Sequence, residues 1–145
     1  MEDMDGLGRR EGPLTEYEAA AQSYQDMYGW QVGVYGSGVW LVTGRQVEAL
    51  DMPEGIGARL LDRIDAPVFE SPHDDAVRWV VLVKPHDASP IGTRSRHPDI
   101  DHVRSGRAVD LPPSRFGRHL VRWIVEPDLL TLPDFDAVLR ALPDK

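Results

Sequence analysis

The chain has 145 residues, with 41% apolar and 28% charged side chains, which is enough to build a core without a disulfide or metal staple. Its net charge of -8 argues against a general nucleic-acid binder, and the lack of cysteine excludes disulfides, thiolate metal sites and a cysteine nucleophile. The longest apolar run, residues 79–83, falls far short of the roughly 20 residues of a membrane span, and the polar opening MEDMDGLGRREG does not read as a signal peptide, so a cytoplasmic location with no membrane partner is expected.

Residues 1–13 are rich in glycine and charge and have no periodicity, so they read as a disordered lead to one domain over residues 14–145. Thr15 and Glu18 have capping-box spacing, and Tyr17, Ala20, Ala21, Tyr24 and Met27 or Tyr28 recur at helical spacing. A helix is therefore predicted from Thr15 to a stop at Gly29. Three β-rich runs follow at 31–35, 39–43 and 46–50, each bounded by glycine, and together they predict a three-stranded meander. Asp51-Met52-Pro53-Glu54 predicts a helix start with Asp51 as cap, and Ile56, Leu60, Leu61 and Ile64 form its apolar stripe. Residues 68–70 predict a short strand, and residues 77–84, apolar on both faces, predict a central one.

Residues 86–106 are polar and carry Pro90, Gly92, Pro98 and Gly106, which predicts a long loop. Residues 107–111 predict a strand that Pro112-Pro113 ends, and residues 119–125 alternate as another. Thr131-Leu132-Pro133-Asp134 opens a last helix with Phe135, Val138, Leu139 and Leu142 as its buried stripe. The expected fold is α+β, a mixed and mainly antiparallel sheet with about three helices packed on it.

Charge is uneven along the chain. Residues 1–91 hold 7 basic and 16 acidic side chains, residues 92–123 hold 7 arginines against 3 aspartates, and residues 124–145 hold 2 basic and 5 acidic. The chain has 14 arginines and 2 lysines in all, a bias that a GC-rich genome also produces. Arginine is nonetheless the side chain best shaped for phosphate and carboxylate forks. Within the basic segment Ser114, Arg115, Arg118 and His119 present donors from a tight loop after the two prolines, with Arg122 on the following strand. These five are the candidate nucleotide or nucleic-acid ligands; a rigid connection with solvated arginines is the plainer alternative.

Other motifs carry less. Gly36-Ser37-Gly38 lies between two strands and not before a helix, so it is no phosphate cradle. His97-Pro98-Asp99-Ile100-Asp101-His102 is the densest cluster of possible metal ligands, but no second cluster completes it. Ser89, Ser95, Ser105 and Ser114 sit in no nucleophile elbow. Trp30, Trp40, Trp79 and Trp123 lie in or beside strands, where core packing is the ordinary role and base stacking the alternative.

The stretch LPPSRFGRHLVRW, residues 111–123, resembles the end of the bifunctional primase-polymerase domains of the archaeo-eukaryotic primase superfamily. The helix running into Tyr28-Gly29-Trp30-Gln31-Val32 is similar to that family's opening helix and strand. GVWLVTG followed by EALDMPEGIGARLL is similar to its strand pair leading to a metal-binding Asp-x-Asp and a helix. The resemblance implies a primase-polymerase fold over about residues 15–142. It places metal-binding carboxylates at Asp51 and, before the Pro-Pro-Ser turn, Asp110.

The chain departs from that pattern where chemistry matters. Two-metal nucleotidyl transfer holds its ions about 4 Å apart between clustered carboxylates. Here the residues two away from Asp51 are Ala49 and Pro53. The family's strand histidine is replaced by Arg78 and Trp79, with His73 displaced into the preceding turn. The resemblance therefore implies a degenerate, non-catalytic domain with no cofactor, which binds nucleotide or single-stranded nucleic acid. A regulatory module that binds only protein is the alternative. A remaining Mg- or Mn-dependent nucleotidyltransferase, with metal at Asp51, Asp110 and the His97–His102 segment, is the third possibility.

Overall fold

The computed structural model describes residues 15–72, 76–85, 98–104, 106–127 and 132–143. The expected disordered lead, His73, His97 and most of the expected loop at 86–106 lie outside the described residues. Helix α1 (Glu16–Tyr28) begins on a complete capping box: the Glu18 amide donates to Thr15 Oγ1 at 3.1 Å, and the Thr15 amide donates to Glu18 Oε1 at 3.0 Å. Gly29 ends it in the left-handed region at φ 70, donating its amide to the Gln25 carbonyl.

Strands β1 (Val32–Tyr35) and β2 (Gly38–Val42) form an antiparallel hairpin. The chain continues through β3 (Glu48–Pro53), α2 (Glu54–Leu61), β4 (Val68–Pro72), β5 (Val77–Val83), β6 (Asp101–Val103) and β7 (Ala108–Leu111). A two-residue-strand hairpin, β8 (Arg115–Phe116) and β9 (His119–Leu120), precedes β10 (Arg122–Val125) and helix α3 (Phe135–Ala141). The described residues thus form an α+β fold with three helices and three antiparallel sheets, ordered β1-β2-β7, β10-β4-β5-β3-β6 and β8-β9.

Side-chain alternation splits the five-stranded sheet between two cores. Ala49, Phe69, Val80, Leu82 and Val103 face α1 and the three-stranded sheet, meeting Ala21, Tyr24, Val39, Leu41 and Leu111. Leu50, Met52, Val68, Trp79, Val81 and Val83 face the other way, onto Leu60 of α2 and Phe135 and Val138 of α3. The middle strand of the five is β5, as its two apolar faces predict.

Four expectations are corrected. The meander does not form: β3 leaves the β1–β2 hairpin, and β7 takes its place beside β2. The reason is burial, since β3 carries core residues on both faces, Ala49 on one and Leu50 and Met52 on the other, and is covered between β5 and β6. Asp51 is no helix cap but a strand residue, and α2 begins after Pro53. The polar stretch at 86–106 contains strand β6, which is paired to Ala49, Leu50 and Asp51. The run at 119–125 is broken at the buried Val121, whose amide turns aside to the Ser114 carbonyl at 2.9 Å.

Helix α2 approaches β5 through a glycine. A Cβ on Gly57 would stand 2.7 Å from Trp79 Cε3 and 3.0 Å from Trp79 Cβ, whereas one on Gly55 meets nothing within 4 Å. Gly57→Ala is expected to destabilise the protein by about 1–2 kcal/mol, because overpacking outweighs the gain in helix propensity. Gly55→Ala is expected to stabilise it by about 0.5–1 kcal/mol. Denaturation midpoints of the two variants, moving in opposite directions, check both.

Candidate functional site

The candidate ligands lie on the connection from β7 to β10. Pro112 and Pro113 are joined by a cis peptide bond and form a turn, which the Ser114 amide closes on the Leu111 carbonyl at 2.9 Å. Ser114 is fully buried. Its Oγ accepts from the Val39 amide at 2.8 Å and donates to the Val39 carbonyl at 3.1 Å, so the hydroxyl is committed to fastening this loop onto β2. The Arg115 amide donates to the Ser37 carbonyl at 2.9 Å, tying the hairpin to the β1–β2 turn.

A second clamp comes from α1. Tyr24 Oη donates to the Pro112 carbonyl at 2.7 Å and accepts from Trp123 Nε1 at 3.1 Å, joining the start of the loop to β10. Burial pushes the Tyr24 phenol up to about 12 from its ordinary 10.0. A raised acid loses its stabilising effect as pH rises from the unfolded value through the folded one. Stability is therefore expected to fall by about 2 kcal/mol more in wild type than in Tyr24→Phe between pH 10 and pH 12. Urea titrations of both proteins at several alkaline pH values read this difference; parallel curves would refute it.

The hairpin itself is exposed from Arg115 to Leu120. Arg115 stands opposite Leu120 and Phe116 opposite His119. Gly117 opens the intervening two-residue turn at φ 64, a conformation such turns require and glycine supplies freely. Among the described residues, nothing accepts a hydrogen bond from the side chains of Arg115, Arg118 or His119. Arg122 differs, since its Nε donates to Glu70 Oε1 at 2.8 Å across the β10–β4 pair. The structure thus gathers Arg115, Arg118 and His119 on one exposed turn, places Ser114 beneath them and ties Arg122 to the sheet.

The two expected metal ligands lie apart in the topology. Asp51 is on β3 of the five-stranded sheet and Asp110 on β7 of the three-stranded one. Asp51 Oδ1 accepts from Arg78 Nε at 2.6 Å. The same guanidinium donates through Nη2 to the Asp99 carbonyl at 2.8 Å and the Asp51 carbonyl at 3.1 Å. Asp101, opposite Asp51 on β6, takes Arg107 Nη2 at 3.2 Å. Asp110 accepts from Tyr35 Oη, and this bond is the main reason the Tyr35 phenol is raised to about 12. Among the described residues no group of three or more His, Asp or Glu side chains is placed to hold a metal ion.

Two arrangements are not written in the sequence; the first takes His102, a candidate metal ligand by sequence, into a different partnership. Glu48 and His102, both buried, meet at 2.8 Å between Oε1 and Nε2, and the imidazole lies 4.6 Å from the Phe135 ring. Their sequence signal is slight, a single carboxylate before Ala49-Leu50 and a single imidazole in the polar segment 97–102. The second is the outer face of the three-stranded sheet, where Gly33, Trp40 and Asp110 line up across the strands and Tyr35 stands opposite Gly38. A glycine inside a strand often marks a close approach, and that signal was present at Gly33.

Comparisons with protein-family models, with curated proteins and with solved structures find no match to this chain. No helix among the described residues is long and apolar enough to cross a membrane.

Proposed function

We propose that the chain is a non-catalytic domain of the primase-polymerase type that binds single-stranded nucleic acid or nucleotide phosphates through the β8–β9 hairpin. The observation that carries this is the exposed turn with Arg115, Arg118 and His119, whose side chains have no acceptor among the described residues. Free guanidinium groups held on a braced backbone are ready to fork onto phosphate oxygens without first breaking an ion pair. The non-catalytic part is supported by the fate of the carboxylates: Asp51 is engaged by Arg78 and Asp110 by Tyr35, on separate sheets.

The direct test is a titration of labelled oligothymidylate across a salt series. Binding that weakens linearly on a log–log plot is the expected result. Absence of binding at low salt would favour the second possibility, a protein-interaction module, for which Phe116 and Leu120, 40% and 37% exposed on the same hairpin, would serve as apolar anchors. Nucleotide incorporation on a primed template with Mg or Mn would overturn the non-catalytic assignment.

A further inference from the structure

We infer that the outer face of the β1-β2-β7 sheet receives the bases of the bound strand, stacked on Tyr35 and Trp40, with Asp110 favouring bases that carry an amino group. This rests on the hairpin function proposed above and extends it from phosphates to bases.

Trp30, Trp79 and Trp123 all pack in or against the two cores, and Trp40 belongs to neither. It points from β2 to the side opposite Val39 and Leu41, as strand alternation requires. Its indole covers Gly33, where a Cβ would stand 2.6 Å from Trp40 Cζ2. In the next row Tyr35 covers Gly38, where a Cβ would stand 3.1 Å from Tyr35 Cζ. Each ring thus uses a side-chain-free position on the paired strand as its seat. Tyr35 remains 48% exposed, a large aromatic surface left in water. Aromatic rings on an open sheet face are a sequence-tolerant platform for unpaired bases.

The occupant follows from what adjoins the face. Tyr35 is followed directly by the Gly36-Ser37 turn, and Ser37 accepts the amide of Arg115 at 2.9 Å. The platform therefore runs into the root of the cationic hairpin, so a strand with phosphates at Arg115 and Arg118 has its neighbouring bases beside Tyr35. Asp110 stands opposite Trp40 and accepts from Tyr35 Oη through Oδ1. Its second oxygen has no donor among the described residues. A carboxylate in that position accepts from the N4 amino group of cytosine and has nothing to accept from thymine at the equivalent atom.

The test uses the whole chain with three labelled strands of equal length: oligodeoxycytidylate, oligothymidylate and an abasic deoxyribose-phosphate strand. The expected order is cytidylate, then thymidylate, then abasic, with cytidylate at least tenfold tighter than abasic. Tyr35→Ala and Trp40→Ala are each expected to weaken cytidylate about tenfold and to leave the abasic strand unchanged. Asp110→Asn is expected to bring cytidylate to the level of thymidylate; as a near-isosteric change on a half-buried strand position it also serves if Trp40→Ala does not fold. Equal affinity for all three strands would overturn the inference. If abasic binding then still disappears in the Arg115→Ala, Arg118→Ala double variant, the hairpin function survives alone. Failure of every strand to bind, or occupation of this face by a proline-rich peptide in their place, would overturn both.

Discussion

Replacing Arg115 and Arg118 together by alanine is expected to weaken single-strand binding about 30-fold at low salt. Each charge-assisted hydrogen bond to phosphate contributes about 1 kcal/mol at so exposed a position, and two of them amount to this factor. The salt dependence is diagnostic. A single-stranded ligand loses about 0.7 from its log–log salt slope for each phosphate contact removed, so the double variant should flatten the slope by about 1.4. Arg122→Ala should do much less, because that guanidinium is already held by Glu70 at 2.8 Å. The Arg115 and Arg118 side chains project from an exposed hairpin, so the double variant should stay within about 0.5 kcal/mol of wild type in stability. An unchanged affinity and slope in the double variant would remove the hairpin from the binding surface.

Ser114→Ala is expected to destabilise the protein by about 2–4 kcal/mol. The hydroxyl satisfies both the amide and the carbonyl of Val39, at 2.8 and 3.1 Å, in a place with no access to water. Removing it leaves two buried backbone groups without partners, at about 1–2 kcal/mol each. The effect should reach function as well. The Arg115 amide bond to Ser37 and the Val121 amide bond to Ser114 both depend on where this loop sits. Strand binding by Ser114→Ala should therefore weaken at temperatures well below its unfolding midpoint. Denaturant titration and strand binding on the same preparation check the two effects; a variant as stable as wild type would show that water replaces the hydroxyl.

The parts of the fold visible in the sequence are those with a local cause. Thr15 and Glu18 specify their helix start by spacing alone, and the capping box is present atom for atom. The residues of β5 are apolar on both faces, which leaves them no position but a covered one. What escaped depends on distant partners. Strand β2 pairs with β7 and not with β3, and nothing in the residues between β2 and β3 encodes that choice. Strand β6 is three residues inside a polar stretch, too short to show an alternating pattern. For the site, arginine density pointed to Arg115 and Arg118. The burial of Ser114 was not visible, because a serine after two prolines looks the same whether it faces water or the Val39 backbone. The positions of Asp51 and Asp110 on different sheets follow from the same misjudged strand order. In the sequence Arg78 stands where the resemblance places a histidine; its bond to Asp51 requires knowing that β3 and β5 are neighbours.

The margins of the five-stranded sheet bear on how the protein behaves at high concentration. Among the described residues one margin is β6, only three residues long, and the other is β10, whose register shifts between Trp123 and Val125. Neither offers a foreign strand a long, regular row of free amides and carbonyls, which is how sheet proteins commonly avoid lateral growth into fibrils.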